Sequence, residues 1–510
     1  MAILGSIIKK SFELRGRIPK FRKEGIKQQK RVLKKLLTKA EFTAFGEHYN
    51  FSKILNEKDI IAAFQTTVDT HDYNTMFTKW WNRVRAGESN VCWPRKIKYF
   101  ALSSGTSDAS SKYIPVSTAM IKTIVKISLR QVMIQSKYDV SEEHFLKGIL
   151  VVGGSTNLKF NGKNYEGDLS GITTSNIPFY VQNYSKPGKE IRRESDWEKK
   201  LEEITQNAPR WDIGMVCGVP AWIQILFEKI ITTYNVKTIH DIWPNLKVYI
   251  HGGVSFAPYK KGFEKLLGKP LLYFDTYLAS EGFIGYQDRQ DANGAMKLVL
   301  DVGIFFEFVP FNEQNFDADA DIIDKPEVLH IGQVQEGVDY ALLISTCSGT
   351  WRYMIGDVVR FTSVENYEII IVGRTKHFLS LCGEHLSQDN MNKAIELASA
   401  ELNINIKEYT VVGMNHENRF AHKWYIGTDD KVDKHMLINR IDELLKELND
   451  DYKVERIEAL RELFIEVLPS KVFYEHMRLN GKAGSQNKFP RVLKNKQLND
   501  WDNYLKEHVK

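Results

Sequence analysis

The chain has 510 residues, 43% of them hydrophobic and 26% charged, with a formal net charge of +6. That balance excludes disorder, collagen-like repeats and a coiled-coil rod, and the length suits roughly two to four domains. Four widely spaced cysteines, Cys92, Cys217, Cys347 and Cys382, offer neither a zinc knuckle nor a disulfide framework, so a reducing, cytoplasmic setting is expected. The first ten residues lack the apolar run of a signal peptide. The longest uncharged apolar-rich stretch, Ile213 to Phe227, has fifteen residues and contains Pro220, too short and interrupted to span a bilayer.

Charge is concentrated at the start. Residues 9–39 carry 13 Lys and Arg against Glu13 and Glu24, a local net charge of +11. Val32, Leu33, Leu36 and Leu37 fall at helical spacing, so the segment reads as a basic surface helix on the body of the protein. Contact with a membrane surface or an acidic partner is the lesser reading. Recognition of a specific nucleic acid has only charge in its favour.

In chain order, the first fifty residues read as helical up to Phe45-Gly46, followed by helical stretches at Ile54–Phe64 and Tyr73–Arg85. Lys96–Leu102 reads as a strand entering a Ser/Gly/Thr loop, and a helix is expected from Pro115 to about Lys137. Strands at Gly148–Val152 and Lys247–His251 bracket a region with a helix at Ala221–Tyr234. Leu271–Tyr277, Ala295–Pro310, Tyr340–Ser345 and Glu368–Val372 are strand-like. Beyond Lys376 come a helix (Gln388–Glu401), two strands (Glu408–Val412, His422–Ile426), a helix (Lys434–Leu448) and a strand (Leu463–Val467). That αββαβ order marks a small α/β domain, with a boundary near residue 375.

Five clusters carry chemistry. Ser103-Ser104-Gly105-Thr106-Ser107, followed by Lys112, places hydroxyls, backbone N–H groups and a cation where phosphate oxygens can be held, although a polar surface loop has the same composition. It is not a P-loop pattern. In Tyr277-Leu278-Ala279-Ser280-Glu281-Gly282, Glu281 offers a hard cation such as Mg²⁺ an oxygen ligand, and Tyr277 offers a face to a base or a side chain to the core. Asp357, after Gly356, can accept two ribose hydroxyls or simply face solvent. Gly373-Arg374 ends a strand at the expected boundary, and Asn480 to Arg491 is a flexible basic loop containing Lys488. The doublet Gly252-Gly253 suggests a close backbone approach.

Taken in order, these segments resemble the Gretchen Hagen (GH3) auxin-responsive promoter family of acyl acid–amido synthetases, within the adenylate-forming ligases. Ser104-Gly105-Thr106-Ser107 with Lys112 resembles the family's phosphate loop, and Tyr277 to Gly282 its second ATP motif. Tyr353 with Gly356-Asp357 resembles the third motif, Gly373-Arg374 the hinge, Gly383-Glu384-His385 the crossover, and Gln486 to Arg491 the C-terminal lysine loop. Ala109, Met354 and His385 stand where relatives often have glycine, arginine and lysine.

The resemblance implies an α/β fold. Residues 1–375 form a large adenylate-forming domain with mixed sheets, helices and a small barrel-like part, and 376–510 form a small mobile C-terminal lid. It also implies ATP and Mg²⁺, the latter held by Glu281, with a small carboxylic acid and an amine or amino acid as co-substrates. Lys488 and Lys112 are the implied catalytic cations. Ser103, Ser104, Gly105, Thr106, Ser107, Tyr277, Ser280, Glu281, Asp357, Arg374 and His385 complete the nucleotide site. A thiol acceptor such as coenzyme A, or a non-catalytic protein keeping the fold, are the alternatives. The acid itself is not legible, because its pocket wall is assembled from separated residues.

Overall fold

The computed structural model describes residues 24–103, 112–253, 256–290, 294–312, 314–316, 322–375, 378–379, 381, 384, 386–416, 419–479, 489–493 and 495–508. The chain divides into two compact units, with the break in the main body falling between Thr375 and Lys376.

The strands of the larger unit are β1 (Tyr99–Ser103), β2 (Lys112–Val116), β3 (Gly148–Val151), β4 (Lys159–Phe160), β5 (Tyr165–Gly167), β6 (Ser185–Lys186), β7 (Ile213–Cys217), β8 (Val248–Gly252), β9 (Leu272–Ala279), β10 (Gly282–Tyr286), β11 (Met296–Leu298), β12 (Ile304–Pro310), β13 (Leu329–His330), β14 (Asp339–Thr346), β15 (Tyr353–Ser363) and β16 (Glu368–Arg374). Among the described residues they form a four-stranded sheet, β2–β1–β5–β4, and a twelve-stranded one. The larger sheet runs β13–β12–β14–β15–β16–β11–β10–β9–β8–β7–β3–β6. Its β6–β3–β7–β8–β9 half is parallel. From β9 onward every pairing is antiparallel.

The two halves differ for a reason visible in sequence. β7 is an uninterrupted apolar run, as a strand covered on both faces requires, and it feeds the helix Pro220–Tyr234, whose leading proline costs no helical hydrogen bond. The uncharged stretch at 213–227 is therefore strand plus helix. Among the described residues no helix is long and apolar enough to cross a membrane. β9 joins the parallel and antiparallel halves, and in open α/β sheets the carboxyl end of such a strand is where ligands bind.

The basic segment forms, over Gly25–Ala40, a helix that buries Val32, Leu33, Leu36 and Leu37. Its buried Gln29 donates from Nε2 to the carbonyls of Leu300 (2.9 Å) and Ile304 (3.0 Å) and accepts from Phe306 N–H at 2.7 Å. Those bonds seat the helix on the start of β12. Lys27, Lys30, Arg31, Lys34, Lys35 and Lys39 stay exposed.

The smaller unit has β17 (Phe378–Leu379), β18 (Leu386–Ser387), β19 (Ile406–His416), β20 (Arg419–Thr428) and β21 (Leu460–Leu468). β19 and β20 are antiparallel, whereas β20 and β21 are parallel and joined through helices Lys434–Leu448 and Asp450–Glu458. Parallel neighbours need such a long crossover. Asp433 caps the first of these helices, accepting from His435 N–H at 2.9 Å and Met436 N–H at 3.1 Å.

Several elements differ from the sequence expectation. The expected Pro115–Lys137 helix is preceded by β2 and begins at Thr118, since Pro115 and Val116 pair with Phe100 and Tyr99 in the strand ladder. Ala295–Pro310 divides into β11 and β12, separated where Gly303 adopts φ +81°. β10 and the helices Ser470–Leu479 and Asn495–His508 are additional; β10 is a five-residue strand whose two glycines mask its pattern.

Candidate functional site

The hydroxyl-rich segment is bracketed by a strand rung: Ser103 on β1 faces Lys112 on β2. Both are half-buried. Ser104, Gly105, Thr106 and Ser107 lie outside the described residues. The ammonium of Lys112 lies 5.4 Å from the centre of the Tyr73 ring, and the Tyr73 hydroxyl accepts the Tyr113 N–H at 2.9 Å. A cation over an aromatic face is attracted by the ring quadrupole, so Tyr73 helps to aim Lys112. The signal for Tyr73 was weak, because an aromatic at helical spacing reads as core.

β2 runs into Ser117, the N-cap of the helix Thr118–Ile134. Its hydroxyl accepts the Met120 N–H at 3.0 Å and donates to the Cys347 carbonyl at 2.5 Å, while its own N–H donates to Ser348 Oγ at 3.0 Å. The strand carrying Lys112 is thereby tied to the chain just before the third motif.

Ser280 and Glu281 form the turn from β9 to β10, with Ala279 opposite Gly282. Ser280 is half-buried and Glu281 only 7% exposed. Gly282 has φ +152°, and a Cβ there would lie 2.8 Å from Met120 Cε and 3.0 Å from Ile304 Cδ1. The start of the 118–134 helix thus presses directly on the residue after Glu281. Gly252, at the end of β8, is required for a different reason: a Cβ would meet the Thr276 carbonyl of β9 at 2.3 Å. That glycine serves strand packing.

Tyr277 and Asp357 meet. The tyrosine hydroxyl donates to Asp357 Oδ2, although β9 and β15 are separated in the sheet by β10, β11 and β16. The antiparallel half must therefore coil enough to bring the second and third motifs face to face. The Tyr277 ring is 6% exposed and packs in the main core cluster, so its hydroxyl is the part that reaches Asp357. Asp357 is half-buried and is the strand partner of Arg374, of which only the backbone is described. Thr375 N–H donates to the Gly356 carbonyl at 2.8 Å.

His71 fixes the other end of this motif. Its N–H donates to the Arg352 carbonyl and its carbonyl accepts the Met354 N–H, both at 2.8 Å. Its Nδ1 is 3.0 Å from the Trp351 carbonyl, which, being an acceptor only, assigns the proton to Nδ1. Burial pushes the imidazole down to about 4, as it does for His144. Both are neutral in the folded protein and bind protons more readily when unfolded. Stability is therefore full above pH 6.5 and is lost as pH falls toward 4. Each histidine costs roughly 2 kcal/mol at pH 5. Urea midpoints should fall between pH 7 and pH 5; a flat midpoint would contradict this burial.

In the smaller unit, His385 and Lys488 lie outside the described residues. The residues after Lys488 are firmly held. Phe489 is 1% exposed and packs edge-on against Phe473 and Trp501 at 4.9 Å. Arg491 donates to Glu408 Oε2 at 2.7 Å and to the Tyr409 carbonyl at 3.0 Å. Val411 N–H donates to the Arg491 carbonyl at 3.0 Å, and Leu493 N–H returns to Val411 at 3.1 Å, so this stretch lines the edge of β19. Phe489 and Arg491 are thus anchors, which explains half of the Lys-Phe-Pro-Arg motif. Glu384 is fully buried.

The sequence matches the GH3 family N-terminal domain over residues 14–159 and 154–272, the central domain over 297–372 and the C-terminal domain over 389–497. The chain belongs to the GH3 family. Among curated GH3 proteins, it is 28% identical over 222 residues to the indole-3-acetic acid-amido synthetase GH3.2 of Arabidopsis thaliana, covering 42% of this chain and 38% of that one. It is 25% identical over 314 residues to GH3.4 of the same plant, covering 58% and 49%. It is 27% identical over 297 residues to the jasmonoyl–L-amino acid synthetase GH3.5 of Oryza sativa subsp. japonica, covering 54% and 50%. The chain thus spans half or less of the length of these relatives. In fold it is similar to the GH3.15 acyl acid amido synthetase (TM-score 0.57, 17% identity, covering 94% of this chain and 93% of the other). It is likewise similar to a 2-hydroxyisobutyryl-CoA ligase (TM-score 0.59, 12% identity, covering 96% and 93%).

Proposed function

We propose that this GH3 protein is an ATP-dependent acyl acid–amido synthetase. A carboxylate oxygen of the acid attacks the α-phosphorus of ATP, giving an acyl-adenylate and pyrophosphate. An amine nitrogen, from an amino acid, then attacks the acyl carbonyl; the C–O bond to AMP breaks and the nitrogen loses a proton. Relatives that make indole-3-acetic acid amides and jasmonoyl–L-amino acids support the amino-acid acceptor.

The observation that carries the reading is the Tyr277–Asp357 bond, which joins two motifs far apart in sequence at the strand where the sheet changes from parallel to antiparallel. We assign Asp357 to the ribose, with Tyr277 holding its carboxylate in place, and Arg374 to the ribose beside it. Ser103, Ser104, Gly105, Thr106, Ser107 and Lys112 are assigned to the phosphates, Ser280 to their neighbourhood, His385 to the nucleotide, and Lys488 to the α-phosphate and the attacking carboxylate. Residues 376–510 are assigned as a separate C-terminal domain.

Glu281 fits a Mg²⁺ ligand. Its carboxylate is buried beside the end of β9, and among the described residues no group of three or more His, Cys, Asp or Glu could hold a metal unaided. Mg²⁺ typically takes one or two carboxylates and completes its shell with phosphate oxygens and water. When bound, it would offset the phosphate charge. Free Cys92, Cys217 and Cys347 support a reducing, cytoplasmic setting.

The test is ATP–pyrophosphate exchange across a panel of carboxylic acids, followed by mass detection of products formed with amino acids or coenzyme A. Acid-dependent exchange and an amide product are expected; thioester alone would reassign the acceptor, and no exchange with any acid would end the ligase reading. Tyr277→Phe should raise the KM for ATP about tenfold, the value of one hydrogen bond to a charged group. An unchanged KM would take Asp357 out of the nucleotide site.

A further inference from the structure

The helix Gly25–Ala40 is pinned to the larger unit along one side and bare along the other. Its first amide, Gly25 N–H, donates to the Tyr367 hydroxyl at 2.9 Å, and Gln29 ties its second turn to the start of β12. Val32, Leu33, Leu36, Leu37 and Ala40 fill the buried face. The opposite face carries Lys27, Lys30, Arg31, Lys34, Lys35 and Lys39, all exposed. Their spacing of three and four residues puts them on one stripe about 18 Å long. The helix itself contains no acid. Among the described residues only Lys27 of the six has an ion-pair partner, Glu24 just ahead of the helix at 2.6 Å. Phe42 follows three residues after Lys39 and is 78% exposed. In the sequence, residues 9–23 add seven more Lys and Arg against Glu13.

Like charges three and four residues apart on a helix repel, so this stripe weakens its own helix slightly and is offset only by an anion from outside. The apolar face is already taken by the body of the protein, so the helix cannot sink into a bilayer as a free amphipathic helix does. What it offers is a row of charge ending in one bare aromatic ring. Those two signals together suit the surface of an anionic leaflet. Each Lys or Arg close to the headgroups strengthens binding about fivefold, and a phenyl ring enters the boundary between headgroups and acyl chains. Five of the six cations are lysines, compact charges that match a diffuse layer of headgroups, whereas base recognition in nucleic acid favours the bidentate fork of arginine. We propose that the exposed face of the Gly25–Ala40 helix, with Phe42 at its end, seats the protein reversibly on an anionic phospholipid surface. Such docking requires neither nucleotide nor acid and is independent of the ligase reading.

Vesicle flotation of the full chain tests the docking. At about 0.1 M salt the chain should bind phosphatidylcholine vesicles containing about 30% phosphatidylserine at least a hundredfold more tightly than phosphatidylcholine alone, and about 0.5 M salt should remove the difference. The salt arm needs no variant. Combining Lys30→Gln, Arg31→Gln, Lys34→Gln and Lys35→Gln keeps good helix formers on an exposed face and should cut affinity for the anionic vesicles at least thirtyfold. Phe42→Ala alone should cut it about tenfold. Combining Lys163→Gln, Lys189→Gln, Lys237→Gln and Lys265→Gln removes the same charge from exposed positions elsewhere and should bind as wild type does. Equal binding to neutral and anionic vesicles, anionic binding that survives the quadruple helix variant, or an equal loss in the scattered variant would overturn the proposal. So would duplex DNA or RNA that displaces the chain from anionic vesicles at equal phosphate concentration, since the face would then serve nucleic acid.

Discussion

Lys488→Ala is expected to bind ATP almost as wild type does and to lose acid-dependent pyrophosphate release by about a hundredfold. The proposed first half-reaction would bring a carboxylate against a triphosphate, two anions, with the α-phosphoryl oxygens gaining charge as the new P–O bond forms. A cation aimed at those oxygens acts mainly on the transition state, and removing one such oriented donor commonly costs about 3 kcal/mol. The residues that follow it in sequence are anchored independently of it. Phe489 is locked in a cluster with Phe473 and Trp501, and Arg491 is bonded to Glu408 and Tyr409, so alanine at 488 leaves the attachment of the loop in place. Lys482→Ala, earlier in the same basic stretch of sequence, should have a small effect. Equal pyrophosphate release by Lys488→Ala and wild type would withdraw the residue from the α-phosphate.

Arg352→Met should destabilise the larger unit by about 3–5 kcal/mol, the usual result of stranding one member of a buried ion pair. Arg352 is 4% exposed, and Glu307, on β12, is fully buried. The guanidinium Nε lies 3.1 and 3.2 Å from the two Glu307 oxygens, and its NH1 donates to the carbonyls of Gln65 (2.8 Å) and Val68 (2.6 Å). Gln65 also donates from Nε2 to Glu307 at 3.1 Å. Arg352 has φ +39°, a left-handed conformation that non-glycine residues rarely adopt, so the pair also holds the backbone bend immediately before Tyr353. Pairing Arg352→Met with Glu307→Leu should recover much of the loss, since no charge is then left stranded. Chemical denaturation followed by tryptophan fluorescence reads both steps; a single-variant loss below about 1 kcal/mol would show that Glu307 does not depend on this partner.

Nothing in the sequence pairs these two residues. Glu307 sits inside Ile304–Pro310, where one acid among Phe and Val reads as an exposed strand position, and its partner is 45 residues away. Local periodicity carries no information about such a match. Patterning succeeded where one element is buried on one side, as in the Lys434–Leu448 helix with Leu437, Ile438, Ile441, Leu444, Leu445 and Leu448 inside. It failed at β2, where Pro115 followed by a helix-capping serine looks like a helix start, and at β10, too short and glycine-rich to show alternation. The motifs were legible as composition, and Asp357 and Tyr277 proved to be in contact. What composition could not show is that the tyrosine contributes its hydroxyl while its ring belongs to the core. Glu384 stands beside His385 in the sequence, but the histidine that meets its buried carboxylate comes 38 residues later.

The rung between Ser103 and Lys112 has a practical corollary for protein engineering. The residues that flank the intervening octapeptide, Ser103 and Lys112, pair in one ladder, so it can be treated as an exchangeable cassette. Sequences of equal length from other family members could be spliced in while Tyr99–Val116 and Phe100–Pro115 keep their alignment. Chimeras of that kind would isolate what the hydroxyl-rich stretch itself contributes to turnover, with the surrounding scaffold held constant.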